Sequence, residues 1–142
     1  MNISITVGSS RGVVELWDDA PRSVQALLDG LPIATELRQC RWSGDACFAD
    51  VEDGPLAELD GGEVSVVSIY PGTLVLRVAE EAAPAAELLL GYGDAEHRWP
   101  TGPKLVALLG EITEGRKEIL DELRKTAVSG PVALRLSREA AQ

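Results

Sequence analysis

Lys104–Leu136, KLVALLGEITEGRKEILDELRKTAVSGPVALRL, is the stretch whose reading decides the fold. Lys104–Gly110 is apolar almost throughout, as expected of a strand buried on both faces. Gly110 and Gly115 bracket Glu-Ile-Thr-Glu, where the Thr113 hydroxyl is placed to cap a helix by accepting from a free backbone N–H. Ile112, Ile119, Leu120 and Leu123 recur at helical spacing with charged residues between them, and Pro131–Leu136 reads as a closing strand. Strand, turn, helix, loop and strand in this order suit a barrel that the helix plugs.

The rest of the chain extends that layout. Ile3, Ile5 and Val7 alternate with polar neighbours as one half-buried strand, and Val13–Trp17 is a second beyond a turn at Gly8–Gly12. Pro21 stands at the first helical position, Val24, Leu27, Leu28 and Leu31 form an apolar stripe, and Gly30 with Pro32 stops the helix. Strands at 36–42 and 46–51 fold about a Ser43-Gly44 turn, which sets Cys40 opposite Cys47. Val64–Ile69 and Thr73–Ala79 are further strands, parted by the Tyr70-Pro71-Gly72 turn. Glu80–Glu87 reads as a loop or short broken helix, Leu88–Leu90 as a short strand ended by Gly91-Tyr92-Gly93-Asp94, and Ala95–Pro103 as irregular. About eight short strands and two helices predict a mainly β fold, a closed or nearly closed barrel with a helix over each opening.

Composition narrows the function classes. The 142 residues fit a single domain spanning 1–142, with 45% apolar residues to build its core. No apolar run reaches the roughly 18 residues needed to span a bilayer. The N-terminus MNISITVGSSRG lacks a signal-peptide pattern, so the cytoplasm is the expected location. With 13 Lys+Arg against 23 Asp+Glu the formal charge is −10, which argues against nucleic-acid and anionic-membrane partners. The two cysteines have no CxxC partners and the chain has one histidine, so neither a metal nor a cofactor is expected, and both thiols should be free in a reducing compartment.

Several phrases carry a resemblance. Val13–Leu31, VVELWDDAPRSVQALLDGL, resembles the point where cyclophilins pass from strand to first helix through an Ala-Pro-basic-Ser/Thr pattern, here Ala20-Pro21-Arg22-Ser23. Val106–Leu120 is similar to the cyclophilin strand, glycine-bracketed turn and second helix, and Pro131–Leu136 sits where the final strand would. The Phe-His-Arg, Gln-Gly-Gly-Asp and Ala-Asn-Ala-Gly motifs of the proline isomerases are absent. The chain is more similar to small uncharacterised bacterial cyclophilin-like proteins, through Tyr70-Pro71-Gly72, Tyr92-Gly93 and Trp42-Ser43-Gly44-Asp45. That resemblance implies a cyclophilin-like barrel and supplies no reaction.

Trp42, Tyr70, Tyr92 and Trp99 all fall at expected turns or strand ends, with Arg41, His97 and Arg98 beside them. Aromatic walls with a few fixed polar groups suit a small-ligand pocket, and arginine can hold a carboxylate by paired hydrogen bonds. The plainer alternative is that the aromatics cap the barrel ends as core. His97 is the one side chain suited to acid–base work near neutrality, with Asp94 and Glu96 close enough in sequence to orient it. The expected function is therefore binding of a small, anionic organic ligand or short peptide by Arg41, Trp42, Tyr70, Tyr92, His97, Arg98 and Trp99. The alternative is an enzyme: a weak peptidyl-prolyl isomerase, or an accessory subunit of a lactam or urea-derivative hydrolase. An exposed edge at Leu88–Leu90 leaves a homodimer open.

Overall fold

The computed structural model describes residues 1–63, 65–99 and 102–139 of the chain. A hairpin, β1 (Asn2–Val7) into β2 (Ser10–Leu16), leads to helix α1 (Pro21–Gly30). Strands β3 (Ile33–Gln39) and β4 (Gly44–Val51) follow, then the two-residue β5 (Ser65–Val66) and β6 (Ser68–Ile69). Next come β7 (Thr73–Arg77), the long β8 (Ala86–Glu96) and a small hairpin of β9 (Arg98–Trp99) and β10 (Gly102–Pro103). β11 (Val106–Glu114), α2 (Arg116–Ser129) and β12 (Val132–Arg138) complete the described chain.

Eight strands run antiparallel in the order β2-β1-β12-β3-β4-β8-β7-β11, and β11 pairs back onto β2. The ring is therefore closed, as the sequence predicts, with its shortest pairing between β3 and β4, at Arg38–Phe48 and Gln39–Cys47 only. The helices sit at opposite mouths. Ser9 Oγ, just past the end of β1, donates to Glu122 Oε1 of α2 at 3.4 Å. Arg138, opposite Ile3 near the start of β1, donates to the Leu28 carbonyl of α1 at 3.0 Å. Ile119 and Leu123 of α2, with Ala26, Leu27 and Leu28 of α1, join the inward side chains of the strands in one core. A second, smaller core lies on the outer face, where Cys40, Ile69, Val75, Leu89 and Val106 meet beneath the short β5 and β6. That outer layer buries β7 on both faces over its whole length.

Several local expectations change, among them the stretch read as irregular, Ala95–Pro103, which holds the end of β8 and the β9–β10 hairpin. Thr113 lies within β11, and Gly115 is the residue that caps α2. Strand β8 does not stop at Leu90 but runs through Gly91, Tyr92 and Gly93 to Glu96. Leu88–Leu90 is accordingly no exposed edge: it is buried between β4 and β7, and the motive for a homodimer there falls away. The β3–β4 connection is also one residue out of the expected register. Cys40 N donates to Ala46 O at 2.8 Å, and Gln39, not Cys40, stands opposite Cys47. A slip of one residue moves a side chain to the other face of a sheet. Cys47 therefore enters the barrel core and Cys40 the outer one, both as free buried thiols. Val64, the expected start of a strand, and Pro100 and Thr101, within the expected irregular stretch, lie outside the described residues.

Candidate functional site

The expected ligand residues divide into three places. Arg41, Trp42, Tyr70 and Arg98 line one cleft of about 580 Å³ on the outer wall, between the turn before β4, the Tyr70-Pro71 turn and the end of β8. Tyr92 is elsewhere. It is 6% exposed, packs in the main core, receives a hydrogen bond from Gln39 Nε2 at 2.9 Å, and has the Arg124 guanidinium 5.9 Å from its ring. His97 and Trp99 belong to a buried polar cluster on the other side of the β8–β9 segment.

The cleft is built by close backbone approaches. Two glycines in β8, read from sequence as strand breakers, are contact points of the kind glycine often marks within a strand. A Cβ at Gly91 would lie 2.5 Å from the Tyr70 carbonyl oxygen, and one at Gly93 would strike the Asp45 carboxylate. The Tyr70 turn can thus lie directly on β8, held by Gly72 N to Gly91 O at 2.8 Å and by Arg116 Nη2 to Pro71 O at 2.6 Å. On the opposite wall Ser43 fixes the turn before β4: its carbonyl accepts from Glu96 N at 2.9 Å and its Oγ from Arg98 N at 3.0 Å. Ser43 is buried and escaped the sequence reading, which treated it only as a turn residue.

These scaffolds leave two aromatics in solvent. Trp42 is 53% exposed, tilted against Phe48 with ring centroids 5.8 Å apart, and Tyr70 is 63% exposed. Arg98 is paired with Glu96 at 3.0 Å, whereas among the described residues neither Arg41 nor Asp94 makes an ion pair. The cleft therefore offers flat apolar faces, one uncommitted guanidinium and one uncommitted carboxylate.

The neighbouring cluster is closed on itself. Arg77, 4% exposed, donates from Nε to Glu87 Oε1 at 2.7 Å and from its Nη atoms to the carbonyls of Val78 and Ala85 at 2.9 and 2.8 Å. His97, 1% exposed, has Nε2 3.6 Å from the same Glu87 oxygen and Nδ1 3.2 Å from the Lys104 carbonyl. The partner of His97 is thus Glu87 and not Asp94 or Glu96. Two cations lie over the Trp99 ring, Arg77 at 5.1 Å and Lys104 at 4.4 Å from its centroid. Burial raises the Glu87 carboxyl, but the His97 ring and the Arg77 guanidinium outweigh it and hold it below the ordinary carboxylate value. With its hydrogen-bonding groups engaged in this way, the cluster braces the wall behind the cleft. Among the described residues no group of three or more His, Cys, Asp or Glu side chains is arranged to hold a metal. None of the described helices is long and apolar enough to cross a membrane.

Fold and cleft together define a small closed antiparallel barrel with helix-covered mouths and an aromatic recess on its wall. The chain belongs to a family described as a protein of unknown function, DUF3830, whose family model matches residues 3–138. No curated protein matches it. Among solved structures it is similar to McbB in complex with tryptophan, with a TM-score of 0.69 and 20% identity; the match covers 99% of this chain and 46% of the McbB chain. The chain thus spans about half the length of McbB. It is also similar to the hypothetical protein AF2241 from Archaeoglobus fulgidus, with a TM-score of 0.56 and 19% identity over 98% of this chain and 95% of that one. At these identities the likeness concerns the fold.

Proposed function

We propose that this chain is a small-ligand-binding barrel, and that its wall cleft takes an organic molecule with a flat apolar body and a carboxylate. The carrying observation is that exposed Trp42 and Tyr70 line one cleft together with Arg41, which has no ion-pair partner among the described residues. Large exposed aromatics beside a free cation provide stacking and charge-assisted hydrogen bonding at one place. The volume of about 580 Å³ falls within the range of small-molecule sites. McbB, of similar fold, was solved with tryptophan, which has a planar indole and a carboxylate, in agreement with this ligand class. Asp94 on the same rim favours a ligand that also carries an amino group. We read residues 1–142 as one cyclophilin-like domain of bacterial type working in the reducing cytoplasm, a location supported by two buried free thiols.

The test is calorimetric titration of wild type, Arg41→Ala and Trp42→Ala with aromatic carboxylates, aromatic amino acids and the matching amides. A carboxylate should bind wild type, and each substitution should weaken it about tenfold, the loss of about 1.4 kcal/mol. Equal affinity in all three proteins, or no binding to wild type at millimolar ligand, would sink the assignment.

A further inference from the structure

A second cleft, of about 570 Å³, opens where one seam of the barrel stops short. Strand β3 pairs with β12 from Ile33 to Leu37, yet with β4 it pairs only at Arg38–Phe48 and Gln39–Cys47. The Cys40 N to Ala46 O hydrogen bond fixes which residues aim their backbone groups across this seam. In an antiparallel pair those residues alternate, so they continue as Arg38–Phe48, then Glu36–Asp50 and Ala34–Glu52. The last two pairs do not form. The alternate residues Ile33, Thr35 and Leu37 serve the β12 side, so the N–H and C=O groups of Ala34 and Glu36 are directed into the cleft as a free strand edge.

We infer that this split seam receives an extended peptide bearing lysine or arginine at alternate positions, which pairs with β3 at Ala34 and Glu36. A free edge beside an open cleft is what strand addition requires: backbone hydrogen bonds supply affinity and alternate side chains supply selectivity. The charge of the walls sets the kind of peptide. Glu36, Asp50, Glu52 and Asp53 line the cleft against a single guanidinium, Arg38, which is already 3.6 Å from Glu36. Ile33 and Val51, which face the barrel core, give the intervening apolar positions of such a peptide a surface to rest on. Burial and repulsion from Glu87 raise the Asp50 carboxyl, so a cation placed against it relieves a repulsion already present. This inference stands apart from the aromatic cleft, since the two recesses share no lining residue.

The experiment is residue-resolved amide exchange on the full chain, alone and with a short capped peptide alternating valine with lysine or arginine at about 1 mM. In the free protein the amides of Ala34 and Glu36 should exchange quickly while those of Thr35 and Leu37 are protected. The basic peptide should slow Ala34 and Glu36 about tenfold, and a peptide with glutamate at the basic positions should not. Ala34→Pro removes one donor on the cleft side and should abolish the effect. The double variant Glu36→Lys with Asp50→Lys, both at exposed positions, should transfer the preference to the acidic peptide, which keeps the test open if the proline variant fails to fold. Protection of Ala34 and Glu36 before peptide is added overturns the inference. So does exchange that the basic peptide leaves unchanged, or an equal response to both peptides.

Discussion

Arg77 and Glu87 stand directly opposite each other on β7 and β8, and Arg77 Nε donates to Glu87 Oε1 across 2.7 Å. A guanidinium that is 4% exposed depends on that carboxylate for its charge balance. Glu87→Gln keeps the shape and leaves the buried cation unpaired, which costs about 3–5 kcal/mol. The melting temperature should fall by roughly 10 °C for a chain of this size. A melt within about 2 °C of wild type would show that the pair contributes little.

The same carboxylate sets an acid dependence. Its folded pKa lies below the unfolded value near 4.5, because the His97 ring and Arg77 favour the charged form more than burial opposes it. A depressed carboxylate stabilises the fold above the unfolded pKa, and that contribution disappears as pH falls through the folded pKa. Urea midpoints should therefore drop as pH falls below about 5, and those of Glu87→Gln should drop less over the same interval. Parallel curves for the two proteins would contradict this.

Neither thiol should react in the native protein. Burial pushes Cys47 up to about 11, and it packs 3.2 Å from the Thr126 hydroxyl; burial also raises Cys40. A thiol-disulfide reagent at about pH 8 should label both only after denaturant is added. Rapid native labelling of Cys40 would mean that the outer core opens locally.

Gly91→Ala should loosen the cleft while sparing the barrel. The added methyl meets the Tyr70 carbonyl at 2.5 Å, so the Tyr70 turn must lift from β8. Overpacking of this kind costs about 1–3 kcal/mol. Any ligand that touches Tyr70 should bind more weakly, and the far-ultraviolet dichroism should be unchanged. Undiminished binding would remove Tyr70 from the site.

The architecture was legible because it rests on periodicity. Pro21 with the Val24–Leu28 stripe marked α1, the alternation of Ile3, Ile5 and Val7 marked β1, and the Ile119–Leu123 face marked the helix that closes one mouth. The site was legible only where an element ended where its turn residues suggested. Trp42 and Tyr70 sit on true turns and both line the cleft. Tyr92 was misplaced because Gly91 and Gly93 look like punctuation, yet they serve close packing inside a long strand. His97 was misread because its partner, Glu87, reaches it through the sheet and not through the local chain. Register, set by one turn residue more or less, decided which face each cysteine took.

With its core side chains meeting those of a helix at either mouth, this cylinder is a filled rod and not a cup. A ligand of the kind proposed would dock from outside, on skin laid over a finished interior. Surface residues such as Trp42 or Glu36 can then change without rebuilding the centre, and divergence within the family should concentrate on that skin.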